Sequence, residues 1–325
     1  MKRRECLKVV GQLAAITAMP PLVFAEEKRK LPTEATGPLR VHPKNPRYFS
    51  DATGRAVLLV GSHVWNNLVD MGREEPPETF DFAAYLDFLQ RYGHNFIRLW
   101  TWDSATWDAR VNGKLRRDVT YHVAPHPWKR VQSDKAPGGQ PKFDLTQFDA
   151  DYFERLRKRV SEAGERGIYV SVMLFEGWGL MHANSGRAVP TGWAWRGHPF
   201  NADNNINGID AGVKGDANKG KPHSLANARV NEIQAAYIRK VVDTVNDLDN
   251  VLYEVINEGG DQKWDWWVAD TIREHERKKS KQHPIGITGH GAEDLKSMLA
   301  SPADWISPGS KDGFRDDPPA WDGKK

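Results

Sequence analysis

The feature that most constrains this chain is an alternation. Six apolar, strand-like runs are separated by segments with helical spacing. Residues 56–61 (AVLLVG) form a continuous apolar run, the pattern of a strand buried on both faces. Residues 95–101, 168–175, 250–257, 284–288 and 304–307 supply the other five strands. Helical spacing marks residues 79–92, 148–166, 226–248, 264–281 and 293–300, and Gly167 is a natural stop for the second of these. Such an order predicts parallel strands joined by crossover helices. A doubly wound sheet and a (β/α) barrel both satisfy it. No Gly-rich phosphate turn follows the first strand, and long loops, residues 102–147 and 176–225, follow the second and third. Loops elaborated on that side favour an α/β fold of the TIM (β/α)8 type, whose sites sit at the C-terminal ends of the strands. Only six of the eight units are countable, so the sequence predicts a barrel truncated at its C-terminal side.

Charge excludes some partners. Lys and Arg number 46 against 43 Asp and Glu. Lys2, Arg3, Arg4, Lys8 and Glu5 lie at the extreme N-terminus, and the remainder is balanced. Neither a nucleic-acid nor an anionic-membrane footprint is present. The basic start, the apolar stretch of residues 9–24 and the small Ala25 read as a signal peptide over residues 1–25, with Arg3-Arg4 suggestive of a twin-arginine signal. A secreted or periplasmic protein exported by the Sec or Tat route is expected, free of the membrane after cleavage. A linker over residues 26–38 and a single domain over residues 39–325 follow. Cys6 is the only cysteine, so the mature chain would have no disulfide and no thiol chemistry. The sequence fixes no oligomeric state.

The sharpest chemical signal is Val255-Ile256-Asn257-Glu258-Gly259, an apolar strand ending directly in Asn-Glu. At the C-terminal end of a barrel strand a carboxylate faces the mouth. Glycoside hydrolysis needs one carboxylic acid to protonate the leaving oxygen and a second carboxylate opposite. Glu258 is the expected acid/base, and Asn257 can hold the sugar 2-hydroxyl. His63 and Trp65 emerge from the first strand, Trp102 follows the second, and Glu176 and Trp178 follow the third. Aromatic faces there suit sugar C–H groups, so these five are expected substrate contacts. A salt bridge from Glu176 to Arg98 is its structural alternative. Asn205 lies in an amide-rich run, residues 201–208, which could line a sugar subsite but reads more readily as a turn held by side-chain-to-backbone bonds.

Asn257-Glu258 at the fourth strand, with Arg98 in Asn95-Phe96-Ile97-Arg98-Leu99 of the second, resembles the cellulase-like clan of retaining glycoside hydrolases. Residues 45–51 (NPRYFSD) through residues 61–67 (GSHVWNN) resemble its apiosidase-like branch and related uncharacterised cellulase-type barrels. The resemblance implies that Arg98 supports the nucleophile, that the nucleophile ends a seventh strand absent here, and that the substrate is a plant or bacterial polysaccharide. Asp312, Asp316 and Asp317 lie in a Gly/Pro-rich stretch and do not replace that nucleophile. The chain as given is therefore expected to be catalytically silent.

No cofactor is expected. The histidines lack a paired helical spacing, so no metal site is expected either. The run at residues 215–221 has the spacing of a phosphate loop, but Pro222 stands in the Ser/Thr position. It reads as an exposed flexible loop. The alternative function is a non-catalytic carbohydrate-binding protein on a degenerate barrel.

Overall fold

The computed structural model describes residues 34–111, 114–183, 193–289 and 295–308. The signal segment, most of the linker and residues 309–325 lie outside these. In chain order the elements are β1 (Arg40–Val41), β2 (Phe49–Ser50), β3 (Ala56–Val57), β4 (Asp70–Gly72), α1 (Phe82–Arg91) and β5 (Phe96–Leu99). Then come β6 (Thr106–Val111), β7 (Lys114–Ala124), β8 (Trp128–Lys135), β9 (Pro141–Phe148), α2 (Ala150–Gly164) and β10 (Tyr169–Glu176). After them lie α3 (Trp178–Ala183), α4 (Trp193–Arg196), β11 (Gly212–Val213), β12 (Asp216–Gly220), α5 (Ala228–Val245) and β13 (Val251–Asn257). The last elements are α6 (Gln262–Glu276), β14 (Ile285–Thr288), α7 (Leu295–Ala300) and β15 (Trp305–Ser307).

The protein is mixed α/β around a parallel five-stranded sheet of order β15-β14-β13-β10-β5. The order never reverses, so the sheet has no topological switch point of the doubly wound kind. Among the described residues it does not close on itself, so the expected (β/α)8 barrel is not present as a closed barrel. Every residue of β10 and β13 is buried, as continuous apolar runs covered on both faces require. The principal helices start where a side chain can accept from the first turn. Asp81 bonds Ala84 N at 2.9 Å, Asp149 bonds Asp151 N at 3.0 Å, and Asp261 bonds Trp264 N at 3.0 Å. Gly167, with φ of 73°, ends the second helical unit in the left-handed region. The aromatic centre of the core is Phe175, packed edge-on against Trp264 and Tyr237 at 5.1 and 5.4 Å.

Three expectations need correction. The run at residues 56–61 is not a strand buried on both faces. Its first two residues form β3, antiparallel to β2, and only Gly61 reaches the main sheet, through one parallel bridge to Phe96. Asn95 takes the place of a ladder there: Val60 N donates to its Oδ1 at 2.8 Å, and its Nδ2 donates to the Leu58 carbonyl at 3.0 Å. Leu58 and Val60 consequently remain 67% and 45% exposed. The segment 102–147 is not a long loop but two antiparallel units, β6-β7, which β4 joins as a third strand, and β8-β9. The stretch at residues 215–221 belongs to the β11-β12 hairpin. The expected linker is already engaged at its end, where Ala35 N bonds the Gly164 carbonyl at 3.0 Å and Tyr169 donates to the Thr36 carbonyl at 2.7 Å. No helix among the described residues is long and apolar enough to cross a membrane.

Candidate functional site

The C-terminal ends of β5, β10 and β13 build one cluster. Register sets Glu176 beside Asn257, and Gly177 N donates to the Asn257 carbonyl at 2.9 Å. A β-carbon on Gly177 would overlap the carbonyl oxygen of Glu258. Glycine is therefore what lets the two strand ends touch. Glu258 itself has φ of 46°, the only positive value of a non-glycine residue among those described, and Gly259 and Gly260 continue the left-handed turn. Such a conformation costs on the order of 1–3 kcal/mol and collects at functional sites.

Arg98 lies beneath this turn. Its Nε donates to Glu254 Oε2 at 2.9 Å, its Nη2 pairs with Glu254 Oε1, and the same Nη2 donates to Asn257 Oδ1 at 3.0 Å. Glu254 is fully buried and also accepts from Thr288 Oγ1 at 2.7 Å and Ser171 Oγ at 3.3 Å. One carboxylate thus links β5, β10, β13 and β14. Among the described residues Arg98 pairs with the buried Glu254 and at the same time holds the Asn257 side chain.

Above the pair lies a stack of aromatic rings. The Arg98 guanidinium sits 4.7 Å from the Trp100 ring centroid. His63 stacks on the same Trp100 ring, 5.1 Å between centroids with 14° between planes. Trp65 packs against Trp100 and Trp178 at 6.4 and 6.0 Å. Trp102 meets Trp178 edge-on at 6.2 Å and donates its Nε1–H to the Trp65 carbonyl at 2.6 Å. Trp65 is 49% exposed, whereas Trp102 is buried. Partial burial, then the charge of Arg98, hold the His63 imidazole below its usual 6.5, so it is neutral at pH 7.

Glu176 departs from expectation. It makes no salt bridge to Arg98 and is not an open carboxylate, being 3% exposed. Trp178 N and Gly179 N donate to it at 2.6 and 3.3 Å, capping α3, and the Asn257 side chain hydrogen-bonds it as well. Burial, and then the neighbouring charge of Asp103, push its carboxyl well above the usual 4.5 despite those bonds. Folded Glu176 therefore keeps its proton to higher pH than the unfolded chain does. Its contribution to stability is complete below pH 4.5 and is lost as pH rises through the folded value. Glu176→Gln should flatten that part of the stability–pH curve. Urea midpoints measured from pH 4.5 upward check this, and parallel slopes for the two proteins would reject it.

Asn205 is corrected. Its Nδ2 donates to the carbonyls of Pro199, Asn201 and Ile209, and its Oδ1 accepts from Asn207 N and Ile209 N. The amide organises its own loop and has no capacity left for a sugar. Sequence reasoning missed Trp100 and Glu254. It also missed that Asp103, His198 and His223 come within 4.8 Å of one another, a spacing a metal ion could use. The protonation pattern opposes a metal. His198 Nδ1 accepts from Phe200 N at 3.0 Å, which puts the proton on the Nε2 that would have to ligate. Asp103 meanwhile is bonded by His223 Nε2 at 2.7 Å and by Glu176 N at 3.0 Å. The group reads as an aspartate-centred brace behind Glu176.

A family model for a domain of unknown function, DUF6298, matches residues 94–300. The chain belongs to the DUF6298 family. The matched segment contains Arg98, Glu176, Glu254, Asn257 and Glu258, while His63 and Trp65 precede it. No curated protein matches the sequence. Among solved structures, the chain is similar to a glycoside hydrolase family 5 protein from Bacteroides vulgatus ATCC 8482, with 12% identity and a TM-score of 0.44, over 84% of this chain and 53% of that one. It is also similar to a GH138 enzyme targeting pectin rhamnogalacturonan II, with 13% identity and a TM-score of 0.36, over 70% of this chain and 21% of that one. The chain spans about half the length of the first and about a fifth of the second.

Proposed function

We propose that this protein is an exported, carbohydrate-active hydrolase of the retaining type, acting on a plant or bacterial polysaccharide. Glu258 protonates the glycosidic oxygen and then activates water. Asn257, held through its Oδ1 by Arg98, offers an amide N–H to the sugar 2-hydroxyl. Trp65, with Trp178 and His63 beside it, gives the sugar an aromatic face. The observation that carries this reading is the Arg98–Asn257 bond, which fixes the Asn-Glu strand end next to the aromatic cluster.

A second reading, sugar binding without cleavage, is favoured by a different observation. The other acids of these strand ends are engaged: Glu254 by Arg98, Glu176 by the first turn of α3, Asp103 by His223. None of them is offered as the second carboxylate of a retaining mechanism. A panel of aryl glycosides, run beside affinity electrophoresis on polysaccharides, separates the readings. Turnover with retardation, in a form that carries the second carboxylate, would select the hydrolase. Retardation without turnover would select the binding protein, and neither would reject both.

A further inference from the structure

A cavity of about 430 Å³ opens between the tip of the β8–β9 hairpin, β7 and the turn after α4. None of the residues placed above in the strand-end cluster lines it. Its polar lining includes Arg130, Arg196, Glu75, His122 and Gln140, and Phe143 forms part of its wall. Two arginines and one carboxylate, Arg130, Arg196 and Glu75, are in the lining. Glu75 already has a partner, since its Oε2 lies 3.2 Å from His122 Nδ1.

Arg130 is the group that selects a ligand. Its guanidinium lies over the Phe143 ring, 4.0 Å from the centroid, and its Nη1 donates to the Pro141 carbonyl at 2.7 Å. Among the described residues its Nε and Nη2 meet no acceptor. Burial holds its pKa down at about 10, with the Glu75 charge pulling the other way. A partly desolvated guanidinium with an unused pair of donors is matched in geometry and charge by a planar carboxylate. The volume is within the range of small-molecule sites, about 300–1,000 Å³. The hairpin-tip residues Ala136 and Pro137 add apolar wall, which suits a ring with C–H faces better than a bare inorganic anion.

We propose that this cavity is a second binding site that takes a uronic-acid sugar, with Arg130 gripping its carboxylate. The carboxylate rests on Arg130 alone, and the sugar rests on the carbohydrate-active reading above. Isothermal titration of the purified protein with galacturonate, glucuronate, galactose and acetate tests it. Either uronate should bind at least about tenfold more tightly than galactose or acetate. Arg130→Met should abolish that preference. Ala136→Trp, which fills the mouth and leaves Arg130 in place, should weaken uronate binding to the same extent and carries the test if the first variant does not fold. No uronate binding by the parent protein, equal binding of acetate or galactose, or full uronate affinity in both variants would overturn the proposal. Failure of the hydrolase reading would appear elsewhere, as absent glycoside turnover with these titrations unchanged.

Discussion

In a catalytically active form that carries the second carboxylate, Glu258→Gln should lower turnover of a glycoside substrate by about 10²–10⁴-fold while leaving the folded state almost unaffected. The size follows from the loss of the proton donor, because no other acid of the strand ends can take its place. Glu176 is pushed up from the usual carboxylate range but is buried behind the first turn of α3, and Glu254 is locked to Arg98. The small effect on stability follows from position. Glu258 is only partly buried, and glutamine preserves its shape and its backbone conformation. Azide should partly restore cleavage of substrates with good leaving groups, since it replaces the water that the carboxylate would otherwise activate. Steady-state kinetics alongside a thermal melt decide the matter. Unchanged turnover in the variant would remove Glu258 from the mechanism.

The second large effect is on stability. Arg98→Met should destabilise the protein by about 3–5 kcal/mol, because it leaves the Glu254 carboxylate buried without its cation. Glu254 is fully buried, and only two hydroxyls would remain to stabilise it. Glu254→Leu should cost less, about 3 kcal/mol or under, because the Arg98 side chain is 21% exposed and keeps Asn257 and Trp100 as partners. Combining the two changes should recover part of the loss, since a buried pair replaced on both sides by apolar groups is far less costly than a broken one. Denaturant unfolding of the three variants measures the coupling. Strictly additive losses would mean that the pair is not the unit of stability described here. Against a typical total of about 5–15 kcal/mol, either single loss is a large fraction.

The parts of this fold legible in the sequence are those where one physical demand acts alone. Residues 168–175 and 250–257 read as buried strands because both faces are covered and no polar residue is tolerated without a partner. Asn257-Glu258 read as a site because a carboxylate directly after such a strand has no packing reason to be there. Glu254 is equally legible: an acid in the middle of a buried strand demands a cation nearby, and Arg98 on β5 supplies it. Other elements were hidden by competing signals. The strands β6 and β7 are rich in charge and lack a clean alternation. The run at residues 56–61 failed in the opposite direction. Its composition demanded burial, but the side chain of Asn95 supplies the contacts that a neighbouring strand would have given. Asn205 could not be separated from a ligand contact by composition, since an amide that ties a loop and an amide that faces a sugar look alike until their partners are known.

The contact between Gly177 and the backbone of Glu258 has a consequence for inheritance. The two positions are 81 residues apart in the chain, yet Gly177 cannot change without moving the backbone of Glu258. Any residue larger than glycine at 177 must displace the carbonyl of Glu258, and with it the turn that aims the side chain. The constraint is independent of the side chain at 258, because it acts on backbone against backbone.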